Sequence, residues 1–594
     1  RLRTFTEGGE AGGSQGRFTF SNQQTALPTA LAATGHAFAS FLLGTVATAD
    51  RSVADAFDLD DYSAYGYQAV YLQDNWKVNA RLTLNAGLRY DVPLARYNST
   101  GQFSSFDPNV PNPKADGRPG ALVFAGFGPG RQNKKRFGDI DWREFGPRLG
   151  FAYRWNDKTV LRGGFGIYYG AGNHTTGGFC VGCTTGFAAR PVNQSPDGYS
   201  PAFNWDDGFV FPAGYMPPPF IDPSFANNQD IWYLSPRSGI QPRFLNWNID
   251  IQRELGRTMV IDVAWVGMRG AHLNSTVNLN QSDPKYLGLG SLLGRSITDP
   301  QVIAAGFGKP FPSFTGTLAQ SLRPYPQFLA IPDHYGALGK SWYDALQAKF
   351  EKRFGGVLAM AAYTWSKTQS LGNYSQTAFQ EEPQDSYNLA AEKSLQRYDS
   401  PHVLNILTSF DLPFGKGRKW LSSTNSVLSR VVGGWNVAGA QQYRSGNLLP
   451  LGAPNTVGNG VIFTNFRRAD LTGQDLRTSL SRTDIDPNNP NSRWFNRGAF
   501  SVPGQYELGS VSRYLSVVRN PPVLSENMAI SKRTVIKAFR DHPVDFEYRA
   551  DFFNVFNRTC FGGVVTAVGN VNFGRPTRPQ IESRVITMGL KVTW

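Results

Sequence analysis

From Arg81 to Val92 apolar and polar positions alternate without a break. Leu82, Leu84, Ala86, Leu88, Tyr90 and Val92 stand against Arg81, Thr83, Asn85, Gly87, Arg89 and Asp91. A strand sends successive side chains to opposite faces, so this segment has one apolar face and one polar face. It runs for about eleven residues, and a tilted strand needs about 9–11 to cross a bilayer. Strands of soluble sandwiches run to about half that length.

The pattern recurs along the chain. Leu149, Phe151, Tyr153 and Trp155 alternate with Arg148, Gly150, Ala152 and Arg154. After Asn156-Asp157-Lys158, the residues Leu161, Gly163, Phe165, Ile167 and Tyr169 alternate with Arg162, Gly164 and Gly166. Trp247, Ile249 and Ile251 lie opposite Asn246, Asn248, Asp250 and Gln252, and Met259, Ile261, Val263 and Trp265 flank Asp262 and Ala264. Phe546, Tyr548, Ala550 and Phe552 alternate with Asp545, Glu547, Arg549 and Asp551. The last strand sets Ile586, Met588, Leu590, Val592 and Trp594 against Thr587, Gly589, Lys591 and Thr593. Stretch 65–77 is apolar on both parities, and 357–365 nearly so. The count is roughly fourteen strand candidates, one of them near Arg17–Ser21.

Connections alternate as well. Short turns near 78–80, 156–158, 255–257 and 354–356 separate long irregular stretches at roughly 94–144, 170–242, 269–341, 368–401 and 446–522. The connection after Pro413, about 413–431, is longer than the other turns. Loops of this length are uncommon in compact soluble domains. A transmembrane β-barrel, by contrast, has short turns on one side, long loops on the other, an apolar outer band and a polar lumen. Aromatic placement agrees: Trp155 and Trp435 fall near turn-side ends, and Tyr169, Trp247, Trp265 and Trp365 near loop-side ends, as two interfacial belts require. The competing architecture is a large sandwich with these aromatics in its core.

Composition narrows the classes. The 594 residues are 41% hydrophobic, which is too little for a bundle of membrane helices, and no stretch of 18 apolar residues occurs. Aromatics at 13% exclude a disordered chain. Lys+Arg exceed Asp+Glu by 59 to 45, but without a concentrated basic run, so no nucleic-acid partner is expected. Three cysteines exclude a disulfide-stapled scaffold.

Several segments resemble a known family. They include Gln73-Asp74-Asn75-Trp76-Lys77, Leu82-Thr83-Leu84-Asn85 and Gly87-Leu88-Arg89-Tyr90. Pro147-Arg148, Arg162-Gly163-Gly164, Tyr363-Thr364-Trp365-Ser366-Lys367, Asp411-Leu412-Pro413-Phe414-Gly415-Lys416-Gly417 and Phe553-Asn554-Val555-Phe556-Asn557 follow in order. Together they resemble the barrel of TonB-dependent outer-membrane receptors, most closely the Oar-like branch. The resemblance implies about twenty-two strands around a plugged lumen. It also implies a signal peptide, a plug and a TonB box, none of which is recognisable here. The chain, which opens Arg1-Leu2-Arg3, is therefore expected to be the C-terminal barrel portion of a longer protein. Residues 1–64 would be an N-terminal barrel segment and loop, and 65–594 one barrel domain.

By the same resemblance the expected partners are outer-membrane lipid, a TonB-like energy-coupling protein acting through the plug, and a solute ligand. The barrel-assembly machinery would read the final strand ending at Trp594, where most members end in Phe. The expected place is the bacterial outer membrane. The rival functions are an adhesive or structural surface barrel and a passive porin.

Sequence motifs for chemistry are weak. Gly12-Gly13-Ser14-Gln15-Gly16 matches a nucleophile elbow but lacks the strand before it and the helix after it. Gly339-Lys340-Ser341 ends like a phosphate loop, yet His334 stands where the first Gly belongs. Gly288, Gly290 and Gly294 miss the dinucleotide spacing, and both sets read as loop glycines. Cys180-x-x-Cys183, with His174 upstream, is simplest as a local disulfide, with metal binding as the alternative. Cys560 has no obvious partner, and the six histidines (His36, His174, His272, His334, His402, His542) are scattered. Asp484, Asp486 and Asn488 read as an Asx-rich turn rather than a calcium loop, and Asp58, Asp60 and Asp61 call for the same caution. No catalytic, cofactor or metal residue is assigned, and no enzyme activity is expected. On the polar face Arg81, Arg89, Arg148, Arg154, Arg162 and Arg549 mingle with Asp91, Asp250, Asp262, Glu547 and Asp551. They are read as paired, hydrated charges filling a wide lumen, or as a basic lumen that attracts anions or docks a plug.

Overall fold

The computed structural model describes residues 2–593 apart from 8–15, 28, 31–32, 52, 55–62, 95–96, 171–183, 373–382, 423–425, 455–466 and 538–542. The alternating segments form antiparallel strands, each hydrogen-bonded to the next in the chain. They are β1 (Leu2–Glu7), β2 (Ser63–Lys77), β3 (Leu82–Pro93), β4 (Phe145–Asn156), β5 (Thr159–Tyr169), β6 (Arg243–Leu255) and β7 (Met259–Asn278). Then come β8 (Pro332–Phe354), β9 (Val357–Leu371), β10 (His402–Asp411), β11 (Trp435–Arg444), β12 (Val523–Lys537), β13 (Pro543–Phe553) and β14 (Val585–Thr593). They make one path through a 16-stranded sheet, and its two remaining strands, Tyr97–Asn98 and Ser394–Leu395, pair with β2 and β9. Among the described residues no ladder joins β1 to β14.

Register carries the apolar face across the whole sheet. Leu84 lies opposite Trp76 and Phe151, and Gly163 opposite Phe151 and Ile249. The row continues through Trp265, Leu346, Trp365 and His402. Large apolar side chains on this face stay uncovered: Leu72 is 79% exposed and Leu590 68%. A water-facing sheet could not hold so much apolar surface in contact with solvent, whereas lipid can cover it. Among the described residues no helix is long and apolar enough to span a membrane.

The packed apolar cores lie elsewhere. The five clusters of buried apolar side chains among the described residues all belong to the long connections rather than to the strands. One contains Phe106, Leu122, Phe124, Phe187, Ile231 and Phe328, another Leu451, Trp494, Phe495, Val518 and Phe573. The long loops are thus a folded layer standing on one rim of the sheet. Sequence pattern alone reads them as irregular because their apolar residues follow no period.

Two expectations need correction. Arg17–Ser21 is not a wall strand: Arg17–Thr19 pairs with Thr48–Asp50, which also pairs with Val192–Gln194, in a small sheet built from two loops. Phe18 packs edge-on against Phe203 at 5.9 Å there, and three residues are too few to cross a bilayer. The wall strand at that end is Leu2–Glu7, paired with β2 from Leu2–Gln68 to Glu7–Ser63. The loop expected at 269–341 is shorter, because β7 runs on to Asn278 and β8 begins at Pro332. Their shared ladder shifts register at three places beyond Ala271, which breaks the alternation that would have revealed it.

Neighbouring residues on opposite faces supply the test. Val263→Arg, on the lipid side, is expected to cost about 2–4 kcal/mol of stability. Ala264→Arg, facing water near Asp250 and Asp262, should change it little. Urea unfolding in liposomes measures both, and equal losses would mean that the faces are misassigned.

Candidate ligand cavity beneath the loop cap

The polar positions of β2 to β8 converge on one open cavity of about 1,040 Å³. Seven neighbouring strands at about 4.8 Å spacing would span nearly 30 Å if flat, so the sheet curls to bring them around a common space. Gln73, Asn85, Asn246, Asn248 and Gln347 line it with amides, and Tyr168 and Tyr343 add phenols. Glycines shape its floor. Gly166 leaves room for the Tyr168 ring, which a Cβ would meet at 2.8 Å, and Arg148 lies over that ring at 4.6 Å. An Arg on an aromatic face is held by cation–π attraction while its edge stays free to hydrogen-bond.

Charges on this face are mostly paired. Arg162 lies 3.5 Å from Asp250 and donates to Gln252 at 2.9 Å. Arg89 bonds Asp91 at 2.8 Å, and Tyr67 donates to the same carboxylate. Arg549 reaches Asp551 at 2.9 Å, and Arg533 reaches Asp545 at 2.5 Å. Arg154 donates to the Ala80 carbonyl at 3.0 Å. Arg89, Arg162 and Arg549 thus meet carboxylates, whereas Arg154 meets a carbonyl and Arg148 a ring, so among the described residues the lumen is a mixture of paired charges and free cations rather than a bare basic one.

The cap above is clasped by side-chain amides and buried arginines. A hairpin of Ser104–Asn112 and Arg118–Phe124 is pinned by Gln327, which donates to the carbonyls of Pro119 at 2.9 Å and Gly120 at 2.8 Å. Gly120 has φ 101°, and a Cβ there would meet Tyr325 at 2.5 Å, so the position demands glycine on both counts. Asn280 donates to the carbonyls of Tyr325 and Leu329 and accepts from the Tyr325 amide. On the other side Arg519 donates to the Asp399 carboxylate and, at 2.6 Å, to its carbonyl. Both side chains are at least nine-tenths buried, which joins the loop after β11 to the loop after β9. Arg513 pairs with Glu392 at 3.3 Å in the same layer.

At the rim, one residue before β4, Glu144 is 2% exposed and accepts the Gln241 amide at 3.2 Å. Its second oxygen has no partner. Burial pushes this carboxyl up from 4.5 to about 8, helped by the charges of Asp141 and Asp91.

The weak motifs dissolve in context. Gly339-Lys340-Ser341 lies inside β8 rather than in a loop, so it is neither a phosphate cradle nor a loop-glycine turn. Gly288, Gly290 and Gly294 fall in a 3-10 run, Pro284–Gly294, kinked at Gly290. Asp484 accepts the Ser481 amide at 3.0 Å and Asp486 the Asn488 amide at 2.9 Å, the expected Asx-rich turn. His36 caps a short helix, Ala37–Leu42, and His402 meets the Tyr363 hydroxyl at 2.8 Å. Residues 12–15, Asp58, Asp60, Asp61, His174, Cys180, Cys183, His542 and Trp594 lie outside the described residues. Sequence reasoning missed Glu144, Gln241, Asp399 and Arg519, since isolated polar residues in aperiodic loops give no signal until the loops pack.

Comparison with known proteins adds a family. The model of the outer membrane beta barrel domain matches residues 1–587. No curated protein matches the sequence. Among solved structures the chain is similar to the outer membrane transporter YddB from Escherichia coli, at 10% identity and a TM-score of 0.39, over 92% of this chain and 59% of that one. It is similar to the FrpB iron transporter from Neisseria meningitidis at 9% identity and TM-score 0.36, over 89% and 45%. It is also similar to the ferric yersiniabactin uptake receptor FyuA from Yersinia pestis at 8% and 0.35, over 92% and 48%. The chain thus spans about half the length of the solved structures it matches.

Two measurements probe the cap. Arg519→Ala leaves Asp399 buried and unpaired, a loss of about 3–5 kcal/mol. Hydrogen exchange should then speed up around 394–401 and 445–447 while β2 to β8 remain protected. Glu144 contributes with the opposite sign to a usual carboxylate: its folded-state pKa is raised, so its contribution is full below about 4.5 and is lost as pH rises through about 8. Stability measured by urea unfolding should therefore fall as pH rises from about 4.5 to about 8 in the wild type, and Glu144→Gln should remove that part of the pH dependence.

Proposed function

The chain belongs to the outer membrane beta barrel domain family, and from that membership we propose that it forms the wall and ligand-collecting loops of a receptor for TonB-energised uptake of a large or scarce solute. It lies in the bacterial outer membrane as a multi-pass β-barrel. The observation that carries the proposal is the pairing of a polar cavity of about 1,040 Å³ with a folded loop layer above it. A passive pore needs an open lumen and gains nothing from packed clusters in the loops at its rim. A receptor needs rigid loops that present polar groups in fixed positions, because ordering flexible loops on binding would weaken affinity.

In this reading the chain is the barrel part of an Oar-like, TonB-dependent receptor, with residues 65–594 forming one barrel domain of an incomplete twenty-two-stranded wall. A plug from upstream sequence fills the lumen, and a TonB-like protein acts on that plug. The amide-rich wall would hold either plug or solute by hydrogen bonds, which suits an uncharged or zwitterionic polar surface better than a strongly anionic one. The barrel-assembly machinery would recognise the final strand.

Uptake assays on the complete gene decide between transport and its rivals. Cells carrying the gene should accumulate a solute that cells lacking it do not, and deletion of the TonB-like protein should abolish that accumulation. Accumulation that persists without TonB would identify a porin. Surface adhesion without any accumulation would identify a structural barrel.

A further inference from the structure

On the lipid side of β7, β8 and β9 the loop-side apolar row is formed by Trp265, Leu346 and Trp365 in direct register. The next lipid-facing row toward the loops, about 7 Å further along the strands, holds Asp344 opposite Lys367. The row beyond that holds Arg269 opposite Trp342. A crevice of about 430 Å³ opens between these rows, with the three apolar residues as floor and Pro401, Ser516 and Arg519 from the loops as roof. A headgroup layer is about 5–8 Å deep outside the hydrocarbon, so Lys367 stands at headgroup height when the tryptophans stand at the interface.

Charge in the crevice is one-sided. Asp344 is the acid on its lipid-facing wall, and Arg269 occupies its carboxylate at 3.0 Å. Asp399 at the roof is taken by Arg519. Lys367 is exposed and has no ion-pair partner among the described residues, and Lys340 is exposed one row above Trp342. Lys393 lies over the Trp342 ring at 4.5 Å, which aims another ammonium at the same level. An unpaired ammonium at a membrane surface attracts anionic headgroups.

We propose that this crevice binds an anionic lipid of the surrounding leaflet, with Lys367 on the headgroup phosphate and the acyl chains on Trp265, Leu346 and Trp365. The lipid would act as mortar between the wall and the loop layer, since the roof residues belong to the loops joined by the Arg519–Asp399 pair. The site is separate from the polar cavity, because its floor is on the opposite face of the sheet.

The test uses the full chain in neutral detergent micelles, titrated with phosphatidylglycerol carrying dibrominated acyl chains, and read as quenching of tryptophan fluorescence. The expected result is half-quenching at a several-fold lower concentration than with dibrominated phosphatidylcholine. Lys367→Gln should shrink that preference about fivefold, the weight of one cation at a surface. Lys367→Arg should keep it. The double variant Trp265→Phe/Trp365→Phe should remove the part of the quenching that is specific to the acidic lipid. Equal quenching by the two lipids, an unchanged preference in Lys367→Gln, or acid-specific quenching that survives in the double tryptophan variant would each overturn the proposal. So would displacement of the lipid by soluble glycerol phosphate at equal concentration, which would show a simple anion site.

Discussion

A peptide group inside hydrocarbon has no water to bond, and leaving it unpaired costs several kcal/mol. That single constraint organises the wall. Every crossing segment must pair on both sides, so the strands run antiparallel in an unbroken neighbour-to-neighbour path. From β2 to β14 each is long enough to pass the apolar layer, and parity is fixed, because a slip by one residue would send Arg162 and Asp250 into lipid and Leu161 and Ile251 into water. Turns on one rim can then be as short as the two residues between β8 and β9. Chain with no place in the wall is sent to the opposite rim.

The loop layer obeys a different economy. Outside the bilayer, stability comes again from burying apolar side chains, and there the chain has its packed clusters. Its polar groups are satisfied by single side chains that bond the backbone of other loops, such as Asn280 and Gln327, and by arginines sealed in with carboxylates. One protein thus carries two kinds of apolar burial, in lipid along the wall and in protein above it. The rows where they meet hold Trp265, Trp365, Lys367 and Arg519, and these residues have to serve both surroundings.

This division explains the shape of the candidate site. The wall can supply only every second residue of each strand to the inside, so its cavity is lined by a sparse lattice of amides, glycines and paired charges. Such a lattice is tolerant and well hydrated, and selectivity must come from what stands at its mouth. The cap provides that through fixed polar groups on a rigid layer, a general reason for function to concentrate on loops held by a scaffold.

Much of the wall was legible in the sequence. The period of two in Leu82–Val92 or Phe546–Phe552 is a direct image of the lipid boundary, and the register of the ladders follows that image. The alternation of short and long connections was equally plain, since turns have almost no freedom in length. Only the tertiary structure decided the rest. Leu2–Glu7 joins the wall while Arg17–Thr19 does not, because the first finds its partner in Ser63–Gln68 of β2, and the second in Thr48–Asp50 of its own connection, which a second loop then extends through Val192–Gln194. The upper ends of β7 and β8 lost their alternation once they left the bilayer, where nothing enforces it. Glu144 and Gln241, or Asp399 and Arg519, meet across about a hundred residues of chain. Periodic surroundings write themselves into sequence as a period, whereas a contact between two aperiodic loops exists only when both have folded.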